Sequence, residues 1–202
     1  YGTARSPEKA TELKETGANV LQLDVTSQES IDAMAASLNG APIDILINNA
    51  GYFGPKLMTE NPDSIENVSR KEMLLCYEVN TMGPIFVMQA LLPNLKASKE
   101  KKIINVSTRA SIITNGGGAK AVGYQVSKQA LNMVTAIMHS GLHKQGFIVA
   151  AVAPGHNKTD MGTERGNLDP AVSMAQLKEV IENLNKKQSG GFWYYNGKKV
   201  PW

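Results

Sequence analysis

Cysteine is almost missing from this chain: Cys76 is the only one in 202 residues. That excludes an intrachain disulfide framework and suits a reducing compartment, so a cytoplasmic protein is expected. Cys76 lies in the apolar helical run Met73-Leu74-Leu75-Cys76, where a core thiol is the expected role. Histidine is nearly as scarce. His139, His143 and His156 have no carboxylate or cysteine cluster at ligand spacing, and no metal site is expected. No run of about 18 apolar residues occurs, which excludes a membrane-spanning helix. The net charge is only +3 and the basic residues are scattered, so no nucleic-acid-binding stripe is present. Lys99-Glu100-Lys101-Lys102 and Lys186-Lys187 read as solvated surface.

What remains is an ordinary globular composition, 42% hydrophobic, without internal repeats or an interdomain linker. Short apolar strands alternate with helical patterns, which predicts a mostly parallel sheet in one domain spanning residues 1–202. Strands are predicted at Val20–Val25, Ile43–Asn48, Lys102–Ser107, from Ile148, and at Phe192–Tyr195. Helices are predicted from Ser6-Pro7 to Gly17, from Thr26-Ser27 to Leu38, over Ser69–Ala97, Val122–Lys144 and Val172–Asn185. Tyr52–Asn67 reads as an active-site loop, Gly116-Gly117-Gly118 as a flexible loop over the site, and Asn157–Ser173 as a substrate lid.

One pattern carries chemistry. Tyr124-Gln-Val-Ser-Lys128 puts a phenol and an ammonium four residues apart on one helix face, with Ser111 thirteen residues upstream. An adjacent ammonium is expected to lower the tyrosine pKa and make it a proton donor and acceptor near neutral pH. A serine hydroxyl beside it would hold a carbonyl or alcohol oxygen. Y-x-x-x-K alone is weak evidence. Its company is not: Asn48-Asn49-Ala50-Gly51 closes one buried strand, Val79-Asn80-Thr81-Met82-Gly83-Pro84 opens a long helix, and Pro154-Gly155-His156-Asn157-Lys158-Thr159-Asp160-Met161 follows the strand from Ile148.

In that order and spacing these segments resemble the short-chain dehydrogenase/reductase family. Gly190–Gly197 and Val200-Pro201-Trp202 look like its C-factor and sniffer-like carbonyl reductase branch. The resemblance implies a Rossmann-type doubly wound α/β fold with helices on both faces of a parallel sheet. It implies hydride transfer between NADP(H) and a carbonyl or alcohol substrate. Tyr124 would be the general acid, with Lys128 lowering its pKa and holding the nicotinamide ribose. Ser111 would orient the substrate oxygen, and Asn80 would hold a water linking Lys128 to solvent. Asp24, Val25, Asn48, Ala50 and Gly51 would meet the adenosine side of the cofactor, and Pro154, Gly155, Asn157 and Thr159 its nicotinamide end. Arg5 would pair with a ribose 2′-phosphate; with no acidic residue at positions 1 to 6, NADP is favoured over NAD.

The pattern is also departed from. Asn157 replaces an apolar residue, and the Ser107–Ser111 segment is tight, leaving open whether Ser111 or Ser107 meets the substrate. No G-x-x-x-G-x-G phosphate turn occurs. The expectation is an N-terminal truncation lacking the first βα unit, roughly 30–40 residues. The missing central strand would leave unpaired backbone groups on its neighbours unless the sheet re-paired. Cofactor binding would be weakened and the chain aggregation-prone. A catalytically impaired homologue acting as an interaction or regulatory protein is the competing expectation. A homodimer or homotetramer is expected through the Ser69–Ala97 and Val122–Lys144 helices.

Overall fold

The structure, a computed structural model, describes residues 1–54, 63–115, 120–159, 161 and 166–202. Its strands are β1 (Gly2–Ala4), β2 (Val20–Gln22), β3 (Ile45–Asn48), β4 (Lys102–Val106), β5 (Ile148–Ala153), β6 (Phe192–Tyr194) and β7 (Lys199–Val200). Its α-helices are α1 (Thr11–Glu15), α2 (Gln28–Ser37), α3 (Arg70–Tyr77), α4 (Gly83–Ala97), α5 (Val122–Leu142) and α6 (Pro170–Asn183).

The predicted parallel α/β architecture is present. Strands β3, β4, β5 and β6 pair in parallel, and β7 closes the sheet antiparallel to β6. Side chains alternate across the two faces. Ile103 and Val149 point into a core shared with α2, α4 and α5, through Ile31, Met34, Val87, Leu91, Leu95 and Met138. Ile104, Ile148, Ala150 and Val152 point the other way, against Leu177 and Ile181 of α6. Ile103, Ile104 and Val149 are wholly buried; each such side chain contributes about 1.5–3 kcal/mol. A strand covered on both faces needs an unbroken apolar run, which is why β5 reads IVAAVA.

The sheet has not re-paired around the expected gap. β1 and β2 form a separate parallel pair, and β3 pairs only with β4 among the described residues. The two ladders share one core, since Leu21, Leu23 and Val25 pack with Leu46 and Ile103. β3 therefore keeps an open edge, and Ile47 on it is 47% exposed.

Helix starts follow their capping residues. Ser27 and Ser69 accept from the backbone N–H groups of Ser30 and Glu72. Asp169 accepts from Ala171 N, so α6 begins at Pro170, two residues before the predicted start. The predicted first helix divides instead. Ala10 is non-helical (ψ 57°) and separates a 3₁₀ turn at Pro7–Lys9 from the short α1. The expected Ser69–Ala97 helix runs as foreseen, but Glu78–Met82 is wound as a π-helix between α3 and α4. The loop residues 55–62, the Gly116-Gly117-Gly118 run, and residues 160 and 162–165 of the expected lid lie outside the described residues.

Candidate active site

The site is built where α5 crosses the carboxyl ends of β3 and β4. α5 approaches α3 closely because Gly123 has no side chain: a Cβ there would lie 3.3 Å from Cys76 Sγ. Its first turn is seated by Asp63, whose carbonyl accepts from Ala121 N at 2.7 Å and whose carboxylate accepts from Gly123 N at 3.4 Å. Tyr124 follows directly, its ring against Phe53 with centroids 4.7 Å apart.

Lys128, one turn on, is 3% exposed. Its Nζ donates to the carbonyl of Val106 at the end of β4, at 2.7 Å. It also faces the end of β3, because a Cβ on Gly51 would lie 3.7 Å from Nζ and 3.6 Å from Asn80 Oδ1. Glycine at 51 therefore keeps open the space beside the lysine.

Burial dominates the protonation of this pair. It pushes the Tyr124 phenol up to about 12, against the lowering effect of a hydrogen bond with the Thr108 side chain. It pushes the Lys128 ammonium down to about 8. The expected lowering of the Tyr124 pKa by Lys128 does not occur in this arrangement. The ammonium is turned to Val106 and stands 6.0 Å from the phenol ring centroid, so desolvation outweighs its field.

Asn80 sits fully buried in the π-helical turn. Its Oδ1 accepts from Tyr52 N, and its Nδ2 donates to Tyr52 O and to Ser127 Oγ, at 2.8, 2.8 and 2.9 Å. The Asn80 side chain thereby clamps the Tyr52 peptide. Thr81 donates to Ser127 O at 2.9 Å, which locks the same turn onto α5. Beneath it, Tyr52 donates to the Glu72 carboxylate at 2.9 Å, and burial with that partner pushes its phenol up to about 12.

Ser111 is brought near but turned away. Its hydroxyl donates to Thr108 O at 2.6 Å and accepts from Asn132 Nδ2 at 3.0 Å. Ser107 donates to Asn132 Oδ1 at 2.6 Å. The half-buried Thr108 side chain lies close enough to Tyr124 to lower its pKa.

On the ligand edge, Asp24 ends the second strand segment and accepts from Thr26 N and Thr26 Oγ1 at 2.9 and 2.7 Å. Those bonds hold its carboxyl below the usual range, and the nearby Arg5 guanidinium adds to the effect. Arg5 thus lies within electrostatic reach of Asp24. Val25 packs against Gly83, where a Cβ would approach it to 3.0 Å. Ala50 and Gly51 are exposed at the end of β3. Two predicted ligand residues face inward instead. Asn48 donates to Asn105 Oδ1 at 2.8 Å. Asn157 donates to Pro154 O at 3.0 Å and accepts from Ser173, bracing its loop. Gly155 has φ +87°, a conformation that favours glycine, and a Cβ there would strike Leu168. Thr159 is exposed beyond it. Among the described residues no helix is long and apolar enough to cross a membrane, and no group of metal-ligating side chains forms.

Comparison with known proteins places this geometry. Residues 2–169 match the short chain dehydrogenase family. The C-signal of Myxococcus xanthus is 32% identical over 170 residues, covering 84% of this chain and 99% of that protein. The NADPH-bound carbonyl reductase from chicken fatty liver superposes with a TM-score of 0.88 at 32% identity, covering 99% of this chain and 86% of that one. The carbonyl reductase Sniffer of D. melanogaster gives 0.89 at 30% identity, with the same coverage.

Proposed function

Because the chain belongs to the short-chain dehydrogenase family of oxidoreductases, we propose that it is an NADPH-dependent carbonyl reductase acting on small aldehydes or ketones. The observation that carries this is the half-buried Tyr124, one helical turn from the buried ammonium of Lys128, at the carboxyl ends of parallel strands. Ligands of open α/β sheets bind at that edge. A phenol with its pKa near 12 is protonated around neutral pH, which suits it to donate a proton in the reductive direction.

The residues present fit the cofactor. The gap that a side chain at 51 would fill, the exposed strand end at Ala50 and Gly51, and Asp24 with Arg5 in electrostatic reach supply small and polar groups for it. Asp24, Val25, Ala50 and Gly51 would hold the adenosine side, with Asn48 shaping the strand end. Lys128 and Tyr124 would hold the ribose next to the nicotinamide. Pro154, Gly155 and Thr159 would hold the nicotinamide end, with Asn157 bracing their loop. When bound, NADPH supplies the hydride to the carbonyl carbon. Tyr124 then transfers its phenolic proton to the carbonyl oxygen, and the Lys128 ammonium compensates the charge left behind. Asn80 keeps the Tyr52 loop, and with it Phe53 against Tyr124, in place. Purified protein at saturating NADPH, given an aromatic aldehyde, is expected to consume the cofactor. NADPH binding with no consumption across a panel of aldehydes and ketones would favour the non-catalytic homologue instead.

Cofactor choice rests on Arg5. Arg5→Asp is expected to move the ratio of kcat/KM from NADPH toward NADH by about tenfold or more, since it removes a charge-assisted phosphate contact and adds repulsion. An unchanged ratio would remove Arg5 from the site.

Assembly rests on the outer face of α3 and α5. Leu74, Val126, Met133 and Ile137 are each more than half exposed. Val126, Met133 and Ile137 repeat at helical spacing beside the apolar groove of Met73, Leu74, Tyr77 and Gly123. A homodimer or homotetramer through this face is expected, with Met133→Glu lowering the mass found by light scattering. A monomeric mass for the parent protein at micromolar concentration rejects it. The single buried cysteine fits a cytoplasmic setting.

A further inference from the structure

We propose that Arg109 makes carbonyl compounds bearing a carboxylate the preferred substrates of this site. This rests on the reading of the chain as a carbonyl reductase and names its substrate class.

In the sheet order, β5 lies between β4 and β6. Arg109 opens the 3₁₀ turn that follows β4, and Tyr194 ends β6. The guanidinium carbon stands over the Tyr194 ring, 5.0 Å from its centroid. The side chain therefore reaches across the carboxyl end of β5, where Ala153 passes into the Pro154-Gly155 segment. Tyr194 packs with Ile112, Ala151 and Ala153. By strand alternation Ala151 and Ala153 share the face of Val149, which is the face that α5 covers. The Arg109 guanidinium is thus held on the same side of the sheet as Tyr124 and Lys128, further along the edge where ligands of such sheets bind.

The turn that carries Arg109 is tied down. Ser111 N and Ile112 N donate to Thr108 O and Arg109 O, both at 3.2 Å. Ile112 is 2% exposed and anchors the end of the turn in the core. The guanidinium itself is uncommitted. Arg109 is exposed, and among the described residues the ion pairs are Lys102–Glu100 and Lys178–Glu182. An aromatic face offers no lone pair, so the Tyr194 contact places the guanidinium without using up its N–H donors. The carboxylates that border the site are turned elsewhere: Asp63 accepts from Gly123 N and Glu72 from the Tyr52 hydroxyl. A fork of N–H donors held in place suits a planar carboxylate and can grip both of its oxygens. A substrate with its carbonyl oxygen at Tyr124 and its body running along the edge toward β6 brings such a carboxylate to Arg109. The reduction is unaltered. The hydride from NADPH forms the C–H bond, the Tyr124 proton completes the O–H bond, NADPH leaves oxidised, and the substrate carboxylate keeps its charge throughout.

The test reads the ratio of kcat/KM for 4-carboxybenzaldehyde to that for 4-carbamoylbenzaldehyde, a neutral molecule of the same shape, and the same ratio for the 3-substituted pair. Differences in intrinsic reactivity cancel when the ratio is compared between parent and variant. Arg109→Gln is expected to lower the ratio about tenfold for at least one pair. Arg109→Lys, which keeps the charge but not the fork, is expected to fall between. Raising the salt concentration is expected to lower the ratio in the parent far more than in Arg109→Gln. A second readout needs neither cofactor nor turnover. The Nε–H resonance of Arg109 is identified by its disappearance in Arg109→Gln. Benzoate is expected to shift it in the parent protein, and benzamide to leave it in place. Ratios that stay the same in Arg109→Gln for both pairs overturn the proposal, as does a resonance that ignores benzoate. If none of the aldehydes is reduced, the carbonyl reductase reading fails, and the response to benzoate still decides whether Arg109 takes a carboxylate.

Discussion

Tyr124→Phe is expected to lower kcat for carbonyl reduction by about 10³-fold, while NADPH affinity and aldehyde KM change far less, by about the tenfold or under that one lost hydrogen bond allows. The substitution removes one oxygen and keeps the ring. The contact with Phe53, 4.7 Å between centroids, survives, as does the packing of the first turn of α5 on α3. What is lost is the proton that ends on the substrate oxygen. Because burial lifts the phenol to about 12, the parent enzyme holds that proton across the neutral range. Its reductive rate is therefore expected to show no falling limb from this group until strongly alkaline pH. A phenylalanine variant that reduces at the parent rate would mean that the proton comes from elsewhere.

The parts of the fold that could be read from sequence were those fixed by local rules. Ser27 and Ser69 announce their helices because a serine oxygen can satisfy a free N–H. The run at Ile148 is buried on both faces and so shows no alternation. β7 was missed although a signal was present. Asn196-Gly197 follows the strand that ends at Tyr194, and the turn brings Lys198 O back to Tyr194 N at 2.8 Å. The π-helical turn around Asn80 has no comparable signature. It follows from how Asn80, Thr81 and Ser127 interlock across two helices, which is a tertiary event. The site divides the same way. That Tyr124 and Lys128 stand one turn apart on α5 was legible because four residues along a helix is a fixed distance. The bonding of Ser111 was not, because thirteen residues through an irregular loop are no distance at all; in the structure its hydroxyl is tied to Thr108 O and Asn132. The protonation of the pair was misjudged for a related reason. Spacing gives proximity but not burial, and burial decides the direction of both shifts.

Lys128→Met is expected to abolish most turnover and at the same time to make the protein more stable at pH 7. The activity loss, about 100-fold or more in kcat with weaker NADPH binding, follows from removing the cation that compensates the Tyr124 phenolate and meets the ribose. The gain in stability follows from the sign of the shift. In the folded protein burial holds the ammonium near 8, against 10.5 for the ordinary side chain. Between those values the unfolded chain binds more protons, so stability rises with pH there. Below pH 8 both states are charged, and the folded one carries the full desolvation cost, about 3 kcal/mol. Methionine fills similar space without that cost. It does leave the Val106 carbonyl without its 2.7 Å donor, which returns about 1–2 kcal/mol. The variant should therefore exceed the parent by about 1–2 kcal/mol in urea unfolding at pH 7, and the advantage should shrink and reverse as pH rises through 8 toward 10.5. The Tyr124 phenol, held near 12 in the parent, stays protonated through this window and adds no slope of its own to the folded state. A methionine variant that is less stable at pH 7, by an amount that does not change with pH, would show that the buried ammonium is compensated by its surroundings. Lys128 would then be kept for the fold as much as for the reaction.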